Sequence, residues 1–408
     1  MYRGTNIERA RTYNLRTVFD CIRLLGPVSR AEVARSTKLT PQTISNLVEH
    51  LLQHNLVVES GTKQGKLGSP AINLVVNPEG AYSIGIDLSR KHITAILVNL
   101  RGDILDRIYH QTDLPKPEAA LELIHGASEA LLDNNSVSKD LLIGLGVGLP
   151  GPLGLSQNGI KGITSSSFAP GWENVPLVEE LERLTGVKVI LENDATAAAI
   201  CENLYGSGQT FETFFYVFLS SGLGGGLITE KRPFDGFKGN AGEIAFLHTL
   251  SEDGKACYLG DYFKLTDLYA RLGENGHTVT TPRDLLPLFE SGSQPLESWL
   301  DQAAGQLSLA LLNIEYILDP EAIIFGGTWP TPMINSLIEG VRTYSELRRI
   351  EQKAYAPRLL CGNTGEDATG IGVAFLPFYD QFFPNPHDLM KTKSRGSRVP
   401  GLSLAERR

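Results

Sequence analysis

Apolar positions in the first eighty residues recur at helical spacing. Leu15, Val18, Phe19, Ile22 and Leu25 form one such stripe, and Gly26-Pro27 stops it. "SRAEVARSTK" follows, with Ser29 as N-cap and Glu32 three residues on, the capping-box pattern. In "LTPQTISNLVEHLLQHN", Thr40 can cap and Pro41 suits the first helical position. Ile44, Leu47, Val48, Leu51 and Leu52 make its apolar face. Two short helices joined by "KLT" predict a helix-turn-helix. "LVVESGTKQGKLGSPAINLVV" then reads as two strands around a Gly/Lys-rich loop, a wing.

From residue 81 the pattern becomes α/β. "AYSIGIDLS", "HITAILVNL" and "GDILDRIYHQT" read as three successive strands, followed by a helix over roughly 117–133. "LLIGLGVGLPGPLG" is a buried strand entering a Gly/Pro loop. "KVILEND" is another strand, with a helix from Ala195 on. "TFFYVFLSSGLGGGLITE" reads as a second hairpin with a glycine-rich turn. Later helices are expected at about 262–273, 281–291 and 295–318, a strand at "AIIFGGTWP" and a last helix near Ala368. A hairpin-plus-helix unit thus occurs twice, near 81 and near 213. That predicts a duplicated domain with a cleft between its halves.

The 408 residues exceed one ordinary core, and only 20% are charged, which excludes wholesale disorder. No apolar run reaches the ~18 residues of a membrane span. The N-terminal stretch has charges but no apolar core, so no secretory signal is read. Cys21, Cys201, Cys257 and Cys361 are scattered, which suggests reduced thiols and a cytoplasmic protein. Net charge is −9, but residues 1–80 hold ten Lys/Arg against six Asp/Glu. A basic segment on an acidic body suits local DNA contact. Candidate DNA contacts are Ser29, Arg30, Thr40, Gln42, Thr43, Ser45 and Asn46. Lys63 and Lys66 on the wing would meet phosphates. The same pattern also suits a small helical dimerisation module.

Six pieces then occur in one order: "LGVGLPGPLG", "PGWENVPL", "LENDATAAA", "SSGLGGGLI", "GNAGEI" and "DPEAIIFGG". In this order they resemble the ROK family of repressors, open reading frames and sugar kinases. The N-terminal extension resembles that family's repressor branch, which includes the xylose and N-acetylglucosamine repressors. The resemblance implies an actin-like, hexokinase-type two-lobed α/β fold behind a winged helix-turn-helix domain. On it, residues 1–80 form the DNA-binding domain and 81–193 the first lobe, completed by a helix at about 368–381. Residues 194–367 form the second lobe, and 382–408 read as a disordered tail. A homodimer or higher homo-oligomer is also implied.

The resemblance places sugar contacts at Asn193, Asp194 and Glu243. Carboxylates accept paired hydroxyls, and an Asn amide both donates and accepts. Asp194 is also the family's base for the phosphorylated hydroxyl, although Asp before "ATAAA" equally suits a helix cap. Phe168 replaces an expected polar contact, and Phe246 stands where the family has a His. Both are counted as candidate ligand contacts. The family's phosphate-binding glycines after "GID" are replaced here by "LSRKHIT", while Gly222, Gly224, Gly225 and Gly226 supply the second turn. The family's zinc motif survives only as Cys257, with Leu259 and Lys264 at other cysteine positions. No metal or cofactor is therefore expected. The sequence reads as a sugar-responsive repressor of operator DNA that is not an enzyme. The alternative is an ATP-dependent sugar kinase with an accessory N-terminal domain.

Overall fold

The computed structural model describes residues 7–63, 71–113, 116–155, 161–163, 171–172, 175–237, 239–251, 253–346 and 356–384. Lys66, Phe168 and the basic stretch from 391 lie outside them. In the N-terminal module, helices Ile7–Leu25, Arg30–Thr37 and Pro41–Gln53 precede strands Val57–Lys63 and Ala71–Val76. Strand Val28–Ser29 adds to the outer side of Ala71–Val76, with Val28 opposite Leu74. Ser29 caps the second helix and forms the full capping box with Glu32. Thr40 caps the third by accepting from the Thr43 amide, and Pro41 opens it. The expected apolar faces are buried, except that Leu52 is half-buried and Leu25 is 53% exposed. The chain leaves the helix there, so Leu25 has no neighbouring turn to pack on.

Two five-stranded sheets follow. One has the spatial order Lys188–Asn193, Leu142–Leu149, Tyr82–Leu88, His92–Asn99, Ile104–Gln111. The other runs Arg358–Cys361, Ala322–Gly327, Phe214–Leu219, Leu223–Thr229, Arg232–Pro233. In both, the first three strands form an antiparallel meander. The fourth and fifth then add in parallel beside the first. The internal duplication expected from the repeated hairpin is therefore real at the level of strand order.

The junction between the sheets is built from small residues. Helix Asp194–Tyr205 leaves the last strand of the first sheet and packs on strand Leu223–Thr229 of the second. Helix Ala368–Ala374 makes the reverse crossing and packs on the first sheet. The two helices touch along their length. A Cβ on Gly372 would sit 1.8 Å from the Ala197 carbonyl oxygen. On its other side the same helix presses the first sheet: a Cβ on Gly85 would lie 1.9 Å from the Gly370 oxygen. Any side chain at these positions would force the layers apart.

The N-terminal module is not held on a loose tether. Its core is continuous with the junction: Phe19, Ile22 and Leu51 belong to the same buried cluster as Ala197, Ile371 and Phe378. The last helix, Leu376–Phe382, carries the contact. Phe382 lies 5.3 Å from Phe19, centroid to centroid, and the Arg23 guanidinium sits 4.6 Å over the Phe383 ring. The Leu100 amide also donates to the Pro78 oxygen at 3.2 Å.

The packing at Gly372 gives a test of sign. Helix propensity alone makes Gly372→Ala stabilising by about 1 kcal/mol. The contact with Ala197 makes it overpacked, and overpacking costs about 1–3 kcal/mol or more. Urea denaturation is expected to show a net loss of stability in the Gly372→Ala variant.

Candidate functional site

The stretch "LENDATAAA" turns from strand to helix at Asn193. Its side-chain oxygen accepts from the Ala195 amide at 2.9 Å and the Thr196 amide at 3.1 Å. Asn193, not Asp194, is therefore the cap of helix Asp194–Tyr205. This leaves the Asn193 amide nitrogen turned outward. Asp194 is the first helical residue, and its Oδ1 accepts only from the Ala195 amide, at 2.8 Å, among the hydrogen bonds of its side chain seen here.

Gly151 gathers the site. A Cβ there would meet Glu243 Oε1 at 2.1 Å and Asn193 Nδ2 at 2.6 Å. The "LPGPLG" loop can thus reach both side chains only because the position is glycine. A second tie comes from Asn240, whose side-chain oxygen accepts from the Leu153 amide at 3.1 Å. Glu243 Oε1 is buried and has no hydrogen-bond partner among the described residues. A buried carboxylate oxygen without a donor is costly.

The glycines of "SSGLGGGLI" serve the same assembly. A Cβ on Gly224 would lie 2.9 Å from the Ala195 Cβ, and on Gly225, 2.5 Å from the Gly242 oxygen. A Cβ on Gly226 would lie 2.9 Å from the Ala195 oxygen. These three glycines therefore admit the helix start and the Glu243 loop. They are not part of the open turn to which the sequence assigned them. Only Gly222, at the turn itself, has open space around its Cα.

The electrostatics are unusual. Asp194 is pushed up to about 8, mainly by burial and then by the charge of Asp87, with a further contribution from Glu243. Glu243 is itself raised by burial. Asp87 is buried at the end of strand Tyr82–Leu88, and its Oδ2 lies 3.1 Å from His92 Nε2. Burial alone would lower the His92 pKa. The Asp87 hydrogen bond and charge outweigh it and hold the imidazole above its usual value. Asp194 and Glu243 thus both favour the protonated form more than free carboxyls do, and such groups can both donate to and accept from hydroxyls.

Phe246 joins a different group. It is 48% exposed and stands edge-on to Tyr258, 6.0 Å away, while His248 packs on the same tyrosine. The residues present do not fit a zinc site. Leu259 is buried in the second lobe's core, and Lys264 pairs with Asp261 at 2.7 Å. Phe263 packs between Trp299 and Trp329. Among the described residues, no group of three His, Cys, Asp or Glu side chains could hold a metal ion.

Sequence reading passed over Glu202. This buried carboxylate accepts from the Ser207, Asn363 and Thr364 amides and from the Thr364 hydroxyl, at 2.6–3.1 Å. It ties the C-terminal end of the helix that begins at Asp194 to the loop entering helix Ala368–Ala374. No local pattern announces it, because three of its four donors, from Asn363 and Thr364, lie some 160 residues away.

On the N-terminal module, Gln42, Ser45 and Asn46 are exposed on one face of helix Pro41–Gln53. Gln42 Nε2 donates to Asn46 Oδ1 at 3.1 Å, and the Thr40 and Thr43 hydroxyls pair at 2.8 Å. The Ser45 hydroxyl donates to the Pro41 oxygen. Arg30 pairs with Glu59 at 3.1 Å, close to the base of the wing. Lys63 ends the strand opposite Ala71. Ser29 must be taken out of the set of DNA contacts. It is buried, and its hydroxyl is held by Glu32 Oε2 and the Glu32 amide.

Known proteins resemble this chain in sequence and fold. The chain is 26% identical to the xylose repressor of Bacillus spizizenii, over 86% of this chain and 91% of that one. It superposes on a ROK family transcriptional regulator with a TM-score of 0.75, at 20% identity, covering 92% of this chain and 98% of that one. It also superposes on a ROK hexokinase from Thermus thermophilus with a TM-score of 0.58, at 27% identity, covering 73% and 98%. The two coverages of this chain differ by about a fifth, the length of the N-terminal module. The ROK family model matches residues 83–376, both sheets and the helices that cross between them, and on that match the chain belongs to the ROK family.

Proposed function

We propose that this protein is a sugar-responsive, DNA-binding transcriptional repressor whose kinase-like domain senses a sugar or sugar derivative without phosphorylating it. One observation carries the reading: an exposed polar helix face and a pair of buried carboxyls beside Gly151 are joined by a single continuous core. The extra module over the hexokinase and the likeness to a xylose repressor support it. Gln42, Thr43, Ser45 and Asn46 would read base edges in the major groove. Arg30, Thr40, Lys63 and Lys66 would meet phosphates. Asn193, Asp194 and Glu243 would hold the sugar hydroxyls, with Phe168 and Phe246 as further candidates. The protein would act in the cytoplasm as a homodimer or higher homo-oligomer. Ligand in the cleft would alter lobe closure and hence the spacing of two DNA-binding modules. Among the described residues, no helix is long and apolar enough to cross a membrane.

One observation favours a sugar kinase instead. Asp194 is raised to about 8, the range that suits a general base. ATP-dependent phosphorylation of any sugar in a broad panel, abolished by Asp194→Asn, would establish that reading.

Fluorescence anisotropy on DNA from upstream of the gene is expected to show tight, salt-dependent binding. Asn46→Ala should weaken specific binding by about 1–3 kcal/mol, roughly tenfold or more, while leaving non-specific binding nearly unchanged. Absence of binding to any upstream or neighbouring operon DNA would overturn the reading. A sugar library followed by thermal shift should give one ligand that raises the melting temperature. Asp194→Ala is expected to abolish that shift and the sugar's effect on DNA, with DNA affinity itself changed less than about twofold.

Asp194 also sets a pH dependence. Its folded pKa is about 8 against an ordinary 3.8, so between those values the folded state holds a proton that the unfolded chain has lost. Stability contributed by this proton is therefore lost as pH rises through that window. Asp194→Asn should melt higher than the wild type by a few degrees, in order of magnitude. The gap should widen from pH 5 to pH 8 and then level off in calorimetric scans.

A further inference from the structure

A phosphoryl donor serving a hydroxyl on Asp194 must bring its terminal phosphate into the same end of the first sheet. Strand register defines what waits there. Asp87 is in register with Gly148, and Gly148 with Glu192, the neighbour of Asn193. Asp87 and the hairpin turn after it therefore lie two strands away from the sugar-binding strand end, about 10 Å. That is a suitable place for a phosphate chain and its divalent cation. A free carboxylate would take the cation, and turn N–H groups would take the phosphate oxygens.

The Ser89, Lys91 and His92 amides and Asp87 Oδ2 are already engaged. The Ser89 hydroxyl oxygen accepts from the Lys91 amide at 3.2 Å and from the His92 amide at 3.1 Å. The Ser89 amide donates to the His92 oxygen at 3.0 Å, so the turn is closed on itself. Ser89 Oγ also lies 2.8 Å from His92 Nδ1, which fixes the imidazole plane. The other ring nitrogen, Nε2, reaches Asp87 Oδ2 at 3.1 Å. The imidazole is held further by Tyr109, stacked at 5.5 Å, with the Arg107 guanidinium 5.3 Å from the opposite ring. Arg107 in turn pairs with Asp367 at 2.9 Å. Lys91 is directed outward to Asp113. The equivalent turn of the second sheet, 220–222, is closed by a similar bond, the Ser220 amide donating to the Gly222 oxygen at 3.0 Å, but it carries no side chain that plugs it: a Cβ on Gly222 would meet nothing within 4 Å.

We infer that Ser89 and His92 form a built-in plug, in which a serine hydroxyl takes the turn's amides and an imidazole takes the place of a divalent cation on Asp87, so that this cleft accepts a sugar but excludes nucleoside triphosphate. The inference rests on the sugar-sensing reading of the same cleft and adds its cause. Bulk and added positive charge at Arg90 and Lys91 are not the reason. The reason is that donors and carboxylate are satisfied internally, and a phosphate would have to break four hydrogen bonds to enter.

The test uses the full chain and Mg-ATP as the probe, measured by isothermal titration calorimetry. The wild type is expected to show no binding. Ser89→Gly combined with His92→Thr should gain magnesium-dependent binding at least tenfold tighter than the wild-type limit. Wild-type binding as tight as the double variant's would overturn the plug. So would a folded double variant that binds no better. Amide hydrogen exchange of Lys91 and His92 in the wild type gives a second measurement that needs no variant. Both amides should be protected, and Mg-ATP should leave them unchanged. Fast exchange at both, or an ATP-dependent change, would sink the inference. The sugar-induced thermal shift is read on the same samples. Its absence in the wild type would count against sugar sensing alone, while the nucleotide comparison would still decide the plug.

Discussion

Two helices of small side chains cross between the sheets with no room for a Cβ at their contact. Helices Asp194–Tyr205 and Ala368–Ala374 pass in opposite directions between the sheets, and Gly372 meets the Ala197 backbone with no room for a Cβ. The candidate site and the N-terminal module both attach to this crossing. One helix begins at Asn193 and Asp194, beside Gly151. The other leads into Leu376–Phe382, which carries Phe382 to Phe19 of the N-terminal module. Packed interiors do not deform continuously, so a change in the angle of the lobes must be absorbed at this junction. The cleft and the N-terminal module therefore share one packed element.

The cleft itself is divided into two halves of opposite character. Around Gly151, Glu243 Oε1 has no hydrogen-bond donor among the described residues, and burial and the charge of Asp87 disfavour ionisation of Asp194. That end holds unsatisfied polar groups. At the turn end, the polar groups have found partners in one another, through Ser89 and His92. That end is complete. The contrast is between unsatisfied and satisfied polar groups, and it follows from which side chains stand at the turn rather than from any change in the fold.

Much of this was legible locally. The two capping motifs, at Ser29 and Thr40, were readable because a cap and its partner lie three residues apart. Strand order repeated because the hairpin pattern repeated. Other elements escaped. Helices Leu177–Thr185 and Thr331–Glu346 went unread because the motifs beside them drew the reading elsewhere. The glycines of "SSGLGGGLI" looked like a turn, yet three of them make room for Ala195 and Gly242. Ser29 looked available to DNA, yet its own cap consumes its hydroxyl.

By itself the sequence determined the element types, the duplicated architecture, the small-residue character of "DATAAA" and "ATGIGVA", and the residue types that can meet a sugar hydroxyl. These depend on neighbours within a few positions, which a linear pattern records. Tertiary structure alone decided which of those residues meet. It brought Gly151, Asn193 and Glu243 to one point and gave Glu202 its donors from residues 363 and 364. It joined the DNA-facing module to the last helix through Phe19 and Phe382. It also showed that His92, an unremarked residue after a broken glycine motif, lies against Asp87. Hydrogen bonding and burial are set by three-dimensional neighbours, and those neighbours come from strands and helices far apart in the chain.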